Sequence, residues 1–290
     1  MTMGTLYLLP TVIAETPFAD TLPTGVLERA RRIGRFYVEA AKTARHYLKA
    51  IGHPTPIAEL TIEEIGHDPD PALLDAWLAP LLKGEDAAIV SESGCPGIAD
   101  PGAQLVQRAH ELGIRVVPWV GPSSILLTLM ASGLDGQRFR FVGYLPIQDD
   151  ERLEALRHLE SQSAQSETQV FIETPYRNQP LFGFMLEHLS PDTRLCVAAD
   201  ITGPNESIRT MRIDRWRSWV GANPDFALAK VPTVFALLAA PRGRAPRYAP
   251  RDALAKGEKR TGEKRSSNAP HAKRAPHRTK GPSTKGTRRS

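Results

Sequence analysis

Short apolar segments alternate with stretches of helical periodicity along the first half of the chain, and this alternation limits the possible folds more than any other feature. Helical segments of about ten residues, such as 40–51 and 104–112, separate the apolar ones. The predicted strands are 5–9, 35–39, 86–90, 115–118 and 138–142. Buried strands joined by helices predict a parallel sheet covered on both faces, so the fold class is α/β.

The second half has a mixed order of elements after a predicted hinge at residues 146–150. Predicted strands at 168–173, 194–199, 207–213 and 233–239 alternate irregularly with predicted helices at 151–160, 181–189 and 216–220. This order indicates a second α/β layer with some antiparallel pairing. We therefore expect an N-terminal α/β domain over residues 1–145 and a C-terminal α/β domain over residues 146–240.

Residues 241–290 differ from the rest in charge and composition. They contain 16 lysines and arginines against three acids, a net charge of +13, which leaves −8 on residues 1–240. Apolar residues are nearly absent, so the segment cannot bury enough surface to offset the entropy of an ordered chain. The sequence therefore predicts an acidic folded body with a disordered basic tail. Such a tail would bind RNA nonspecifically or serve to solubilise the protein.

Several classes of protein are excluded by what the sequence lacks. Two cysteines are too few for a disulfide framework or a multi-cysteine metal site built from this chain alone. The eight histidines include no His-x-x-x-His pair, so no metal is expected. The longest apolar runs are far shorter than a membrane span, and the N-terminus lacks the basic segment of a signal peptide. A cytoplasmic protein is the expectation.

The segment Ser91–Gly102 has the composition of a ligand-binding loop. Three glycines and two prolines let the backbone turn sharply between a buried strand and a helix whose N-terminus offers free N–H groups. Ligands of open α/β sheets bind at the carboxyl ends of strands, where this loop lies. From chemistry alone the loop could hold a nucleotide, a sulfonium cofactor or a sugar, or be a rigid turn.

Three further polar or Gly/Pro turns follow other predicted strands. Pro10-Thr11 ends the first strand, Gly121–Ser124 opens a helix with two serine hydroxyls, and Glu173–Arg177 ends the first strand after the hinge. Each turn alone is a weak signal. Together they predict one cleft between the two halves of the chain.

Five segments together resemble the tetrapyrrole-methylase family. They are Gly4–Thr11, Ser91–Gly102, Val117–Ser123, Phe139–Pro146 and Phe171–Arg177. They are most similar to the branch that methylates the ribose 2′-hydroxyl of a cytidine in small-subunit ribosomal RNA. The resemblance runs in chain order from about residue 4 to residue 239. It implies two α/β domains with S-adenosyl-methionine bound in the cleft between them, usually in a homodimer.

The resemblance also implies which residues hold the cofactor. They come from the glycine–proline loop, the turn after the first strand, the serines at 123 and 124, and two stretches of the second domain. They are Pro10, Glu92, Ser93, Gly94, Cys95, Pro96, Ile98, Ser123, Ser124, Thr174, Val231 and Pro232. Methyl transfer from a sulfonium needs positioning more than acid–base chemistry, and nearby carboxylates suit the positive charge.

Glu39, Glu173 and Arg177 are the candidate catalytic residues. Glu173 and Arg177 flank a proline-containing turn, where they either contact the substrate or form a structural ion pair. Glu39 either belongs to the substrate site or is an acid at a helix N-terminus, where the helix dipole stabilises its negative charge. Cys95 has no histidine near it in the sequence, so we interpret it as a small residue that permits close backbone approach. Cys196 lies on an apolar strand and is expected in the core.

The sequence departs from the RNA-methylating branch in regions expected to contact the substrate. Where that branch has Glu-Asp-Thr-Arg, this chain has Glu39-Ala40-Ala41-Lys42, and Gly203 replaces a lysine. Trp216 and Trp219, among arginines, either stack on bases or pack a helix against the sheet. Three functions stay open: an RNA methyltransferase, a methyltransferase of a tetrapyrrole or other small molecule, and a nonenzymatic RNA-associated protein that acts through its tail.

Removal of residues 241–290 is expected to leave the Tm nearly unchanged, because a segment with so few apolar residues adds no core. Differential scanning calorimetry of the full chain and of residues 1–240 measures this directly. A loss of several degrees in the shorter chain would contradict the predicted disorder of the tail.

Overall fold

A computed structural model describes residues 2–241 of the chain. The predicted disorder of the basic tail concerns residues that lie outside this range. Within residues 2–241, no helix is long and apolar enough to cross a membrane. These residues belong to one compact unit that contains two five-stranded sheets.

The first sheet is entirely parallel. Its strands are β1 (Thr5–Leu9), β2 (Arg35–Val38), β3 (Thr61–Glu64), β4 (Ala87–Val90) and β5 (Arg115–Pro118), in the spatial order β3-β2-β4-β1-β5. Its helices are α1 (Phe18–Thr21), α2 (Thr24–Ala30), α3 (Ala41–Ala50), α4 (Leu74–Leu82) and α5 (Ala103–Glu111), with short 3₁₀ turns at Ile57–Glu59 and Pro71–Leu73. Because all five strands run in one direction, the loops that follow them open at one edge of the sheet.

The second sheet is mixed. Its strands are β6 (Phe139–Tyr144), β7 (Thr168–Ile172), β8 (Arg194–Ala199), β9 (Ser207–Arg212) and β10 (Thr233–Leu238), in the order β6-β7-β10-β8-β9. β6 and β7 are parallel, and the other pairs are antiparallel. Its helices are α6 (Ser124–Ser132), α7 (Asp149–Ser163), α8 (Asn178–His188) and α9 (Ile213–Ala222). The parallel first sheet and the mixed second sheet confirm the predicted α/β class.

Successive strand residues bury their side chains on opposite faces of each sheet, as a pleated strand requires. In β2, Phe36 packs in the cluster with α2 and α3, whereas Tyr37 packs in the cluster with α4 and α5. In β7, Phe171 joins the cluster with α7, α8 and α9, and Val170 joins the one that includes α6. Helices on both faces explain why the central strands are almost continuously apolar.

One strand and one helix do not lie where the expected domain boundary at residue 145 would place them. β6 pairs in parallel with β7, so it belongs to the second sheet and not to the N-terminal domain. The helix before it, α6, packs Ile125 against Val170 and Cys196 of that sheet. Local spacing does not encode which sheet a strand joins, and α7 supplies the crossover that a parallel β6–β7 pair needs.

Residues 146–150, the predicted hinge, connect β6 to α7 and so follow the first strand of the second sheet. Arg152 ties this connection to its own helix by donating through Nε to the Pro146 carbonyl oxygen at 2.9 Å. It also donates to the Ile147 carbonyl and pairs with Asp149. The proline and the polar residues that suggested a hinge form an anchored helix entry.

Two features of the fold differ from simple sequence patterns. β3 was missing from the expected strands because it is a half-buried edge strand that ends in Glu63 and Glu64, without the apolar run of a central strand. Trp216 is fully buried and its indole Nε1 donates to the Leu195 carbonyl oxygen at 2.8 Å. The structure therefore assigns Trp216 to packing and not to base stacking. Cys196 is buried in the core, as expected.

Candidate functional site

A cavity of about 330 Å³ lies between the two sheets. The loop between β4 and α5 forms one wall, the N-terminus of α6 a second, and the ends of β6, β7, β8 and β10 a third. The lining residues are Ile13, Glu92, Ser93, Gly94, Cys95, Ile98, Ala99, Asp100, Ser123, Ser124, Ile125, Tyr144, Ile172, Glu173, Pro175, Ala198, Ile201, Pro232, Thr233 and Val234. The predicted cleft between the two halves is therefore present.

The loop after β4 is locked to the loops after β1 and β5. The Thr11 backbone N–H donates to the Gly94 carbonyl oxygen at 2.9 Å, and the Cys95 Sγ lies 3.3 Å from the Pro122 carbonyl oxygen. Gly94 has a φ of +77°, and a Cβ there would lie 3.0 Å from Ile13 Cγ2 and 3.2 Å from the Pro122 oxygen. The backbone conformation favours glycine at this position, and a larger residue would also press against Ile13 and Pro122.

A second close approach joins the loops after β1 and β5 below the cavity. A Cβ on Gly121 would lie 2.3 Å from ring atoms of Pro10. The Pro10 carbonyl oxygen accepts a hydrogen bond from the Tyr47 hydroxyl at 3.1 Å, which fixes the turn against α3. Pro10 therefore supports the loops from behind and does not line the cavity.

The N-terminus of α6 opens directly into the cavity. Ser123 caps the helix by accepting a hydrogen bond from the Leu126 N–H at 3.4 Å, and Ser123, Ser124 and Ile125 all line the wall. The free N–H groups and the dipole of a helix N-terminus favour a negative group. This end of the cavity is suited to a ligand carboxylate.

Three carboxylates, those of Glu92, Asp100 and Glu173, line the cavity. Glu173 has a buried side chain that accepts hydrogen bonds from Arg177 at 2.7 Å and from the Thr174 N–H at 2.6 Å. The ion pair raises the pKa of the Arg177 guanidinium, chiefly through the hydrogen bond to Glu173. Of the two interpretations of this pair, substrate contact or structural ion pair, the structure shows the ion pair.

Asp100 is the carboxylic acid of the cavity whose proton affinity is most changed. Burial raises its pKa to about 6, and the nearby charges of Glu39 and Glu92 add to the increase. Hydrogen bonding from the Ser91 side chain and the Glu92 backbone opposes it in part. Asp100 therefore holds its proton to a higher pH than an exposed aspartate does.

The predicted cofactor residues divide into two groups. Eight line the cavity: Glu92, Ser93, Gly94, Cys95, Ile98, Ser123, Ser124 and Pro232. Four do not: Pro10, Pro96, Thr174 and Val231. Pro96 lines a different groove, with Gly97 and α5, on the far side of the loop. The Val231 carbonyl oxygen is occupied by hydrogen bonds within the protein, from Asn178 Nδ2 at 2.6 Å and from Thr233 Oγ1 at 3.0 Å.

Of the three candidate catalytic residues, only Glu173 lines the cavity. Glu173 lines the cavity, whereas Arg177 lies behind it as the partner of Glu173. Glu39 does not line the cavity and lies 3.4 Å from His67 Nδ1, yet its charge acts on Asp100. Glu39 therefore lies outside the cavity and affects it only through its charge.

Sequence reasoning missed the apolar and second-sheet walls of the cavity. Ile13, Tyr144, Ile172, Ala198 and Ile201 carry no chemical signature in the sequence. The loop after β1 supplies Ile13, and only the pairing of the second sheet brings the other four here. Asp100 was also missed as a site residue, although it lies inside the glycine–proline loop and a search of that loop for acids would have found it. Burial raises the pKa of the Cys95 thiol, which favours its interpretation as a spacer over that of a nucleophile.

Comparison with known proteins gives the site a context. Residues 24–215 match the family model described as Tetrapyrrole (Corrin/Porphyrin) Methylases. The protein named ribosomal RNA small subunit methyltransferase I from Pseudomonas aeruginosa is 29% identical over 249 residues, covering 84% of this chain and 82% of that protein. Its namesake from Escherichia coli O157:H7 is 30% identical over 217 residues, covering 75% and 72%.

A solved structure is similar in fold. The crystal structure of the methyltransferase CobJ superposes with a TM-score of 0.53 at 16% identity, covering 83% of this chain and 95% of that one. The match to the family model covers more than half of the chain, and the relatives extend it over most of the described residues. This chain therefore belongs to the tetrapyrrole methylase family and is a methyltransferase.

Proposed function

We propose that this protein transfers a methyl group from S-adenosyl-methionine to the ribose 2′-hydroxyl of a nucleotide in small-subunit ribosomal RNA. The observation that carries the proposal is the locked loop over residues 91–102, which walls a cavity suited to a cationic ligand with a carboxylate. Relatives named for small-subunit ribosomal RNA favour an RNA acceptor over a tetrapyrrole. That acceptor also implies a cytoplasmic location.

The cavity fits S-adenosyl-methionine in size and charge. Small-molecule sites usually enclose roughly 300–1,000 Å³, and this cavity has about 330 Å³. The carboxylates of Glu92 and Asp100 suit a sulfonium and an ammonium group, and the α6 N-terminus suits a carboxylate. The residues that would hold the cofactor are Glu92, Ser93, Gly94, Cys95, Ile98, Ser123, Ser124 and Pro232. When bound, the cofactor supplies an electrophilic methyl group.

The contribution of the chain is to position the reactants and to accept one proton. Asp100 is the carboxylate that we assign as proton acceptor for the ribose hydroxyl, because its pKa of about 6 leaves it ionised yet basic near neutral pH. Glu173, fixed in place by its ion pair with Arg177, orients the ligand from the opposite wall. The partial burial of Asp100 and the burial of Glu173 strengthen the electrostatic effect of both groups.

Methyl transfer to the acceptor tests the proposed function. Small ribosomal subunits from a strain of the source organism that lacks the gene are incubated with the protein and S-adenosyl-methionine labelled in its methyl group. Label in an RNA linkage that resists alkaline hydrolysis is expected, since a 2′-O-methyl group removes the attacking hydroxyl. Label in a base, or none in RNA while the protein binds the cofactor, would contradict the assigned acceptor.

Gly94→Val is expected to abolish cofactor binding, because its side chain meets Ile13 and the Pro122 carbonyl and pushes the loop into the cavity. The increase in Tm on addition of S-adenosyl-homocysteine measures this. Gly97→Val is the matched control: Gly97 has nearly the same φ, +75°, but no neighbour within 4 Å. It should retain the ligand-induced increase, and equal losses in both variants would contradict the pocket assignment.

Asp100→Asn is expected to lower methyl transfer and to stabilise the chain. Transfer by the wild type should rise with pH up to about 6, as Asp100 ionises. Because the folded pKa lies above the unfolded one, the free energy of unfolding should fall from pH ~4 to ~6 and stay lower above that. The asparagine variant loses both dependences: the rate falls about 100-fold, and unfolding at pH 7 costs on the order of 1 kcal/mol more.

Asp20→Asn makes the same change at an exposed position outside the cavity and serves as the control. Rates are measured from pH 5 to 8, and stability is measured by urea denaturation. An Asp100→Asn variant with the rate and pH profile of the wild type would refute the assigned role.

We also propose that the protein forms a homodimer through the outer face of α6. Leu126 and Met130, one helical turn apart, are 50% and 78% exposed, and Val120 before the helix is 72% exposed. Large apolar side chains clustered on a surface are typical of an interaction site.

Met130→Glu is expected to convert the dimer to a monomer, because it places a charge in the apolar contact. Light scattering after size-exclusion chromatography measures the mass, and Lys83→Glu, an exposed change at the C-terminus of α4, is the control. A wild type that elutes as a monomer at high concentration would contradict the proposal.

A further inference from the structure

A second, larger groove of about 570 Å³ adjoins the cavity. It lies between α3 and the segment that follows β1, residues 11–18. Ile13, Glu92 and Ser93 line both the groove and the cavity, so the two spaces share a wall. A molecule in the groove would lie next to whatever occupies the cavity.

The groove contains a buried hydroxyl that has no partner. Thr11 lines the groove and is 5% exposed, and no group within residues 2–241 forms a hydrogen bond with its Oγ1. Its backbone N–H is already used by Gly94. An unsatisfied buried polar atom costs about 1–3 kcal/mol, so a ligand with a hydrogen-bonding group would find a prepared partner.

Aromatic rings form the apolar side of the groove. Phe18 and Tyr47 meet edge to face with ring centroids 5.7 Å apart. Burial raises the pKa of Tyr47 above its usual range, and its hydroxyl donates to the Pro10 carbonyl, so the ring presents an uncharged surface. A flat ring with polar edges matches such a wall, as a nucleobase does.

Positive charge lies on α3, the helix that forms one side of the groove, on a face next to the one that lines it, although the body as a whole is acidic. Lys42, Arg45 and Lys49 are exposed at i, i+3 and i+7, which places them on one face of the helix. Within the described part of the chain none of the three has a carboxylate within 4 Å. Phosphate groups of a nucleic-acid strand would supply the missing negative partners.

From the shared wall, the unpartnered hydroxyl, the rings and the basic helix face, we infer that the groove is the acceptor subsite and takes one unstacked nucleotide of single-stranded RNA. The base enters the groove, the phosphates lie along Lys42, Arg45 and Lys49, and the ribose lies at the wall shared with the cavity. A base inside a duplex could not enter, so the acceptor is in a loop or is extruded from its helix. The inference rests on the proposed function for the identity of the acceptor.

Photo-crosslinking tests the subsite without relying on methyl transfer. The full chain, saturated with S-adenosyl-homocysteine, is irradiated with a short single-stranded RNA that contains 4-thiouridine, and the crosslinked peptides are identified by mass spectrometry. Crosslinks are expected within residues 11–18 and 43–50. Crosslinks confined to other segments, such as residues 241–290, would overturn the inference.

Two variants sharpen the test. Thr43→Trp places a ring in the groove from an exposed position of α3, and it should reduce these crosslinks at least 10-fold while affinity for S-adenosyl-homocysteine stays unchanged. Ala19→Trp adds the same ring at an exposed position that does not line the groove, and it should crosslink like the wild type. Equal crosslinking by both variants would count against the groove.

Thr11→Val distinguishes a ligand contact from a structural role. Because the hydroxyl has no partner in the protein, its removal should leave the Tm unchanged or higher, while the KM for small ribosomal subunits rises several-fold. An unchanged KM would refute the role of Thr11. If groove crosslinks form but no methyl group is transferred, the subsite is supported and the proposed function fails. If methyl transfer occurs without groove crosslinks, the proposed function is supported and the subsite fails.

Discussion

The contact on which the site depends is the hydrogen bond from the Thr11 N–H to the Gly94 carbonyl oxygen, at 2.9 Å. It joins the loops after β1 and β4, which follow neighbouring central strands of the parallel sheet. The close approach of Gly121 to Pro10 adds the loop after β5. Three loops are thereby fastened to one another in a single wall, which suits a site that acts by positioning.

The electrostatics of the site follow from where that wall lies. The carboxyl ends of the first sheet bring Glu92 and Asp100 into one cavity, and the partial burial of Asp100 raises its pKa to about 6. On the opposite wall, Arg177 neutralises the charge of Glu173, and the N–H groups at the N-terminus of α6 are available to an anion. Negative and positive ends are therefore separated across a short cavity, an arrangement suited to a zwitterionic ligand with a sulfonium centre.

Much of the fold and part of the site could be predicted from the sequence, and the limits have physical causes. Local periodicity identified the central strands and helices because each is set by burial over a few residues. It could not assign β6 and α6 to the second sheet, because pairing between distant segments has no local signature. Composition identified the loop at residues 91–102, but the direction of each side chain, such as Pro96 facing α5, depends on the folded backbone.

Isothermal titration calorimetry of the 290-residue chain with S-adenosyl-methionine is the decisive experiment, because the locked loops and the charges of the cavity together form the proposed site for that molecule. We expect a single site per chain with a Kd in the micromolar range, and similar affinity for S-adenosyl-homocysteine. Absence of measurable binding to a folded protein, for either compound, would contradict the assignment of the cavity and with it the roles given to Asp100 and Glu173.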